Sequence, residues 1–309
     1  MLAKPDPSTF QILQWRGETP ATARMFCDIA MPDGTPSWAD SRHVLRRQLN
    51  KAADLGFSCY VHPEIEFFLF KTPIKPGQPP EPVDQAGYFD HVHRGQGQDF
   101  RRSAIQNLEA MNIQVEFSHH ENGPGQNEID LRYADALTMA DSHSIIKHAC
   151  KEIALLQGKA ITFMAKWNYN LAGSSSHIHN SLWSLKGNKP LFFDAKAEFG
   201  MSKLMRQWVA GQLKYAGDIT YFLAPYIYSY KRFQAGTFAP TRAVWSNDNR
   251  TAGFRLCAEG SKSVRIECRI GGADRQIEVA LDPDRLLAIA EALHAGAITA
   301  DISFDGASF

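Results

Sequence analysis

The run HPEIEFFLF, residues 62–70, decides how the chain folds. Together with Cys59, Tyr60 and Val61 it reads as one long strand, 59–70. Side chains at i and i+2 of a strand share a face. Glu64 and Glu66 therefore stand side by side, next to the apolar run Phe67, Phe68, Leu69 and Phe70. Two carboxylates in that position repel each other and lose hydration, and a hard divalent cation compensates for both effects. The blander reading, an exposed strand face with two solvated glutamates, stays open on this motif alone.

Outward from this strand, strands alternate with helices. Residues 24–30, 115–119, 128–132, 160–166, 175–183, 253–257 and 264–270 read as further strands. Helices are expected over 38–55, with Ser37 or Asp40 as cap, over 100–111, 134–156 and 201–215, and over 282–295 behind Asp282 and Pro283. The five prolines of 71–84 mark a surface excursion between two strands. Polar alternation in several strands favours an α+β class, a curved and mainly antiparallel sheet flanked by helices, over a doubly wound one. Neither Gly-x-Gly-x-x-Gly nor a Walker-type phosphate loop is present.

The chain has 309 residues, with 33 Lys+Arg against 33 Asp+Glu and a formal net charge of +0. That balance argues against a coat for nucleic acid or an anionic membrane. No apolar stretch approaches the ~20 residues of a membrane span. The five cysteines are scattered and form no Cys-x-x-Cys pair, so reduced, isolated thiols are expected. A protein of the reducing cytoplasm is the default.

Other charged residues repeat the two-residue spacing. HHENGPGQNEID, 119–130, brings Glu121 and Glu128 together across a Gly/Pro turn. His177 and His179 share a face in GSSSHIHNSLW. Arg265, Glu267 and Arg269 share one in VRIECR, and Arg232, Arg250 and Arg255 lie upstream. Carboxylates with histidines and no thiolate cluster suit Mg²⁺ or Mn²⁺. Arginines beside such a cluster suit phosphoryl chemistry, where charge neutralisation dominates.

These segments, with SYKRF (229–233) and NRTAGFR (249–255), resemble in order the catalytic domain of the glutamine synthetase family, over about residues 1–274. The resemblance implies ATP-dependent joining of glutamate to ammonia or an amine through a γ-glutamyl phosphate. It implies Glu66, Glu121 and Glu128 as ligands of one divalent metal, and Glu64, His177 and Glu267 as ligands of another. It further implies glutamate binding by Gly173, Arg232 and Arg269, and contact of Arg250 with the transferred phosphate. Arg255, Arg265 and His179 would meet the nucleotide phosphates, with Ser181 near the adenine. Small-molecule partners and large ring homo-oligomers are also implied.

Two positions depart from the family. Phe238 stands where ammonia-using members carry a flap glutamate, and resembles the branches that make γ-glutamyl amides from alkylamines or polyamines. An aromatic face accepts an alkylammonium but takes no proton. Ala172 replaces an asparagine. The segment 275–309 is atypical, and its end, SFDGASF, resembles the family's Phe-Asp-Gly-Ser loop, which would make Asp305 catalytic. The expectations are then a permuted arrangement or a chance match. The rival functions are an inactive relative or fragment and a guanidino kinase-like phosphotransferase.

Overall fold

The computed structural model describes residues 1–17, 19–91 and 95–274. The helix expected over 282–295 and the end segment with Asp305 lie outside the described residues.

Two short ribbons open the chain. β1 (Leu2–Pro5) pairs with β4 (Cys27–Ala30), and β2 (Gln11–Ile12) pairs with β3 (Ala23–Arg24). The single strand expected over 24–30 is thus two strands serving two ribbons. Helix α1 (Ser41–Asp54) begins three residues later than expected. Asp40 rather than Ser37 is its cap: one carboxylate oxygen accepts from the Arg42 amide and the other from the Ile29 amide of β4.

The main sheet is built on β5 (Phe57–Lys71). Its other strands are β6 (Val115–His120), β7 (Gln126–Leu131), β8 (Ala134–Asp135), β9 (Lys159–Thr162), β10 (Ile178–Ser184), β11 (Trp245–Asn247), β12 (Phe254–Cys257) and β13 (Arg265–Cys268). The order is β11-β12-β13-β10-β5-β7-β6, with β8 and β9 also paired to β5. Every pair is antiparallel except β11 with β12. The mainly antiparallel α+β class expected from the sequence is the one observed.

Pleating sorts the side chains of this sheet. Ile65, Phe67 and Leu69 of β5 enter one core with Phe100 and Leu108 of α2 (Gln96–Ala110) and Ile146 and Ile153 of α3 (Ala136–Leu156). Ile266 and Cys268 of β13 and Leu182 of β10 enter a second core with Met205 and Val209 of α4 (Lys203–Lys214). Helices α5 (Ala216–Leu223) and α6 (Ile227–Tyr230) follow α4, and sequence periodicity did not announce them. The residues in between, Glu64, Glu66, Glu128, His177, His179, Glu267 and Arg269, are left for the opposite face.

Other boundaries shift for local reasons. Asp135 caps α3 by accepting from the Thr138 amide, so the helix starts at Ala136. The strand expected to reach residue 166 ends at Thr162. The proline-rich loop leads to α2 instead of a strand, after folding back to place Pro82 opposite Phe70.

Phe67 is fully buried and packs edge-on to Phe100, with ring centroids 5.5 Å apart. Phe67→Ala should cost about 3–5 kcal/mol in denaturant unfolding. A loss below about 1 kcal/mol would contradict this account of what holds β5 to α2.

Candidate active site

Of the residues turned away from the helices, Glu64, Glu66, Glu128, His177 and Arg269 line a cavity of about 510 Å³. Register brings its acids together. Glu66 lies opposite Glu128, Glu64 opposite Asp130, and His119 of β6 opposite Glu128. The Gly123–Gly125 turn returns β6 to β7 and sets Glu121 beside them.

Two donor groups border the cavity; a third among the described residues, His179, Cys257 and Glu267, shares Glu267 with one of them. Ligand atoms of Glu64, His177 and Glu267 lie within 4.8 Å of one another, as do those of His119, Glu121 and Glu128. The first is the complete set expected for one metal. The second holds two of the three acids expected for the other, with His119 added. Glu66 lines the same cavity, but its carboxylate accepts from the Ser175 amide at 2.9 Å, from the Ser175 hydroxyl, and from Gln126 Nε2 at 3.0 Å.

The first group carries its own counter-charge. His177 Nδ1 is 3.0 Å from Glu64 and 3.2 Å from Glu267. Glu267, with no exposed surface, is also paired with Arg269 and, at 2.9 Å, with Arg255. His179 Nε2 lies 2.6 Å from the other Glu64 oxygen. Burial pushes the Glu64 carboxyl up, but the His179 charge and the bonds from His177 and His179 bring it well below the usual range. Burial, then Arg269, pushes the His177 imidazole down to about 4, leaving it neutral. Burial opposes charge on His179, yet Glu64 holds its imidazole up at about 10.

The second group lacks such relief. Burial and then Glu66 raise the Glu121 carboxyl to about 8. Burial, then Asp130 and Glu64, lift Glu128 well above the carboxylate range. Burial lifts Asp130 likewise, with Glu64 the next cause. Burial and Arg101 push His119 down to about 4, the neutral form that ligates metal. Closely packed acids and neutral imidazoles, without a thiolate in either group, fit Mg²⁺ or Mn²⁺.

Around these groups stand the arginines. Arg232 and Arg269 are both buried and line the cavity. Arg232 Nη2 donates to the carbonyls of Arg269, Ile270 and Gly271, which fixes the guanidinium. The Nε of each is buried without a partner among the described residues, a spare donor for an anion. Gly173 admits Arg232: a Cβ there would sit 2.7 Å from Arg232 Cγ and 2.5 Å from the Ala165 carbonyl oxygen. Arg250 reaches Tyr88 Oη at 3.5 Å, and Phe238, at a φ of 57°, sits at the rim with Ala172 nearby.

His179, Ser181 and Arg265 line a second cavity of about 280 Å³, walled by Tyr60, Tyr133 and Trp183. Arg265 Nε lies 3.0 Å from His179 Nδ1. Glu64 thus touches His177 in one cavity and His179 beside the other. Arg255 belongs to neither lining; it is held by Glu267 and Asp248. Sequence reading missed His119, His62 and Asp130. All three sit two residues from an expected ligand, so the same alternation could have found them. The rim aromatics Tyr88, Phe89 and Phe117 carried no such signal.

A site of this kind can hold hard divalent cations beside an anionic substrate. Residues 38–282 match the family described as glutamine synthetase, catalytic domain. Among curated relatives, a protein named glutamine synthetase from Mycolicibacterium smegmatis is 51% identical over 82% of this chain and 57% of its own length. One of the same name from Mycobacterium tuberculosis H37Rv is 49% identical over 87% of this chain and 61% of its own. Another from Thermus thermophilus is 41% identical over 87% and 61%. The chain belongs to the glutamine synthetase catalytic-domain family. It spans about 57–61% of the length of these relatives.

Cation binding must displace protons from the second group, because Glu121 titrates near 8. Mn²⁺ affinity, measured by calorimetry, should therefore fall as pH drops from 8.5 to 6. The raised carboxyl is protonated below about 8, so the proton competes more strongly at the acid end. Affinity independent of pH over this window would contradict the assignment.

Proposed function

We propose that the chain catalyses ATP-dependent ligation of glutamate to ammonia or a small amine. The observation that carries this reading is one cavity lined by members of two carboxylate–histidine groups and by two buried arginines whose Nε atoms lack a partner among the described residues. The named activity of the relatives supports it. Glu64, His177 and Glu267 would hold one Mg²⁺ or Mn²⁺, and Glu121 and Glu128 the other, with His119 and Glu66 beside them. Bound cations would neutralise charge on the transferred phosphoryl oxygens.

The chain's own residues do the positioning. Arg232 and Arg269, backed by Gly173, present donors to a substrate carboxylate. The nucleotide lies in the second cavity, its base against the Tyr60–Trp183 wall near Ser181 and its phosphates toward His179, Arg265 and Arg255. Arg250 meets the γ-phosphoryl group. The glutamate γ-carboxylate oxygen attacks that phosphorus, and ADP leaves. The acceptor nitrogen then attacks the acyl carbon, phosphate leaves, and the nitrogen loses a proton. We place the enzyme in the cytoplasm as a homo-oligomer. None of the five cysteines is in a disulfide, and no described helix is long and apolar enough to cross a membrane.

A second reading concerns the acceptor. Phe238 is 59% exposed at the cavity rim, with Tyr88, Phe89 and Phe117 lining the same cavity. Aromatic faces favour an alkylammonium over a small, strongly hydrated ammonium. Phosphate release from ATP, with Mg²⁺, glutamate and a panel of amines, tests both readings. Release that depends on glutamate and on an amine supports the ligase. Methylamine or putrescine used in preference to ammonia supports the rim argument, and ammonia alone sinks it. ATP binding without turnover on any amine would favour an inactive relative. Glutamate-independent transfer to a guanidino compound would favour the kinase.

A further inference from the structure

Asp130 is an acid of the cavity that the two donor groups leave unused. It lies opposite Glu64 across the β5–β7 pair and two residues from Glu128 along β7. It is thus next to one member of each group. It is 5% exposed; its side chain hydrogen-bonds that of Glu128, while its Oδ1 is buried without a partner among the described residues. An orphaned, buried carboxylate oxygen is costly, and it needs an explanation such as an ion. Two other buried acids of the site have theirs. Glu66 accepts from Ser175 and Gln126, and Glu267 is paired with two arginines and His177.

We propose that Asp130 is a cation ligand shared between the Glu64–His177–Glu267 group and the His119–Glu121–Glu128 group. This rests on the two-cation reading of the site. A shared carboxylate gives each ion one more hard oxygen, and it ties the occupancy of the two sites together. Its short side chain, held on a paired strand, places that oxygen with little freedom.

The test is a Mn²⁺ titration by calorimetry of the wild-type chain and of Asp130→Asn, which keeps the shape and an acceptor oxygen but not the charge. The wild type should bind two ions. Asp130→Asn should bind with affinity lower by about tenfold or more, without a change in the unfolding midpoint of the metal-free protein. Equal affinity and stoichiometry in the variant overturns the proposal and leaves the two-cation site standing. A wild type that binds no Mn²⁺ overturns both. If the variant does not fold, Mn²⁺ anomalous scattering from wild-type crystals decides. An ion at coordination distance from Asp130 supports the shared ligand, and ions bound by the other acids alone refute it.

Discussion

Crowded carboxylates on one face of a single sheet are the constraint on which the site depends. Glu64, Glu66, Glu128 and Asp130 meet across two neighbouring strands, and Glu121 joins them from the turn. Near a protein surface, two like charges about 4 Å apart repel by about 4 kcal/mol. The helices cannot relieve this, because they occupy the other face. The fold meets the constraint in two ways. Around Glu64 and Glu267 it supplies internal counter-charge from His179, Arg255 and Arg269. Around Glu121 and Glu128 it supplies little, and those carboxyls hold protons instead. One half of the site carries counter-charge from the protein, and the other half holds protons that a bound cation would displace.

Much of this was written in the alternation of β5, β7, β10 and β13. Once residues 59–70 are read as a strand, Glu64 and Glu66 share a face and Ile65 and Phe67 take the other. The same rule applied to 177–183 and 264–269 yields His177, His179 and Glu267. The rest was not local. Alternation puts His119 on the face of Glu121 and Asp130 on that of Glu128, but their place beside Glu64 and Glu66 follows from the register of β6 against β7 and of β7 against β5, which a single strand does not reveal. The split of residues 24–30 into two strands depends on which ribbon each half joins. Gly173 matters because Arg232 and the Ala165 backbone approach it, and both are remote or turned away in sequence.

The arginines show the limit of counting charges. Five guanidinium groups stand out in the sequence, but their surroundings differ. Arg255 is held by Asp248 and Glu267, and Arg265 lies beside His179. Arg232 is held by three carbonyls. Arg232 and Arg269, which line the cavity, each keep a buried Nε without a partner among the described residues. The second cavity meets the first through Glu64, whose two oxygens face His177 and His179. Occupancy on one side therefore bears on the charge felt by the other.

The central claim is that the acidic face exists to bind cations. The most direct measurement is the thermal unfolding midpoint at pH 8, with saturating Mn²⁺ and with chelator. A ligand at about 100 times its dissociation constant stabilises by about 2.7 kcal/mol, a rise of about 4 °C for a chain of this size. A midpoint that Mn²⁺ does not move would contradict the account.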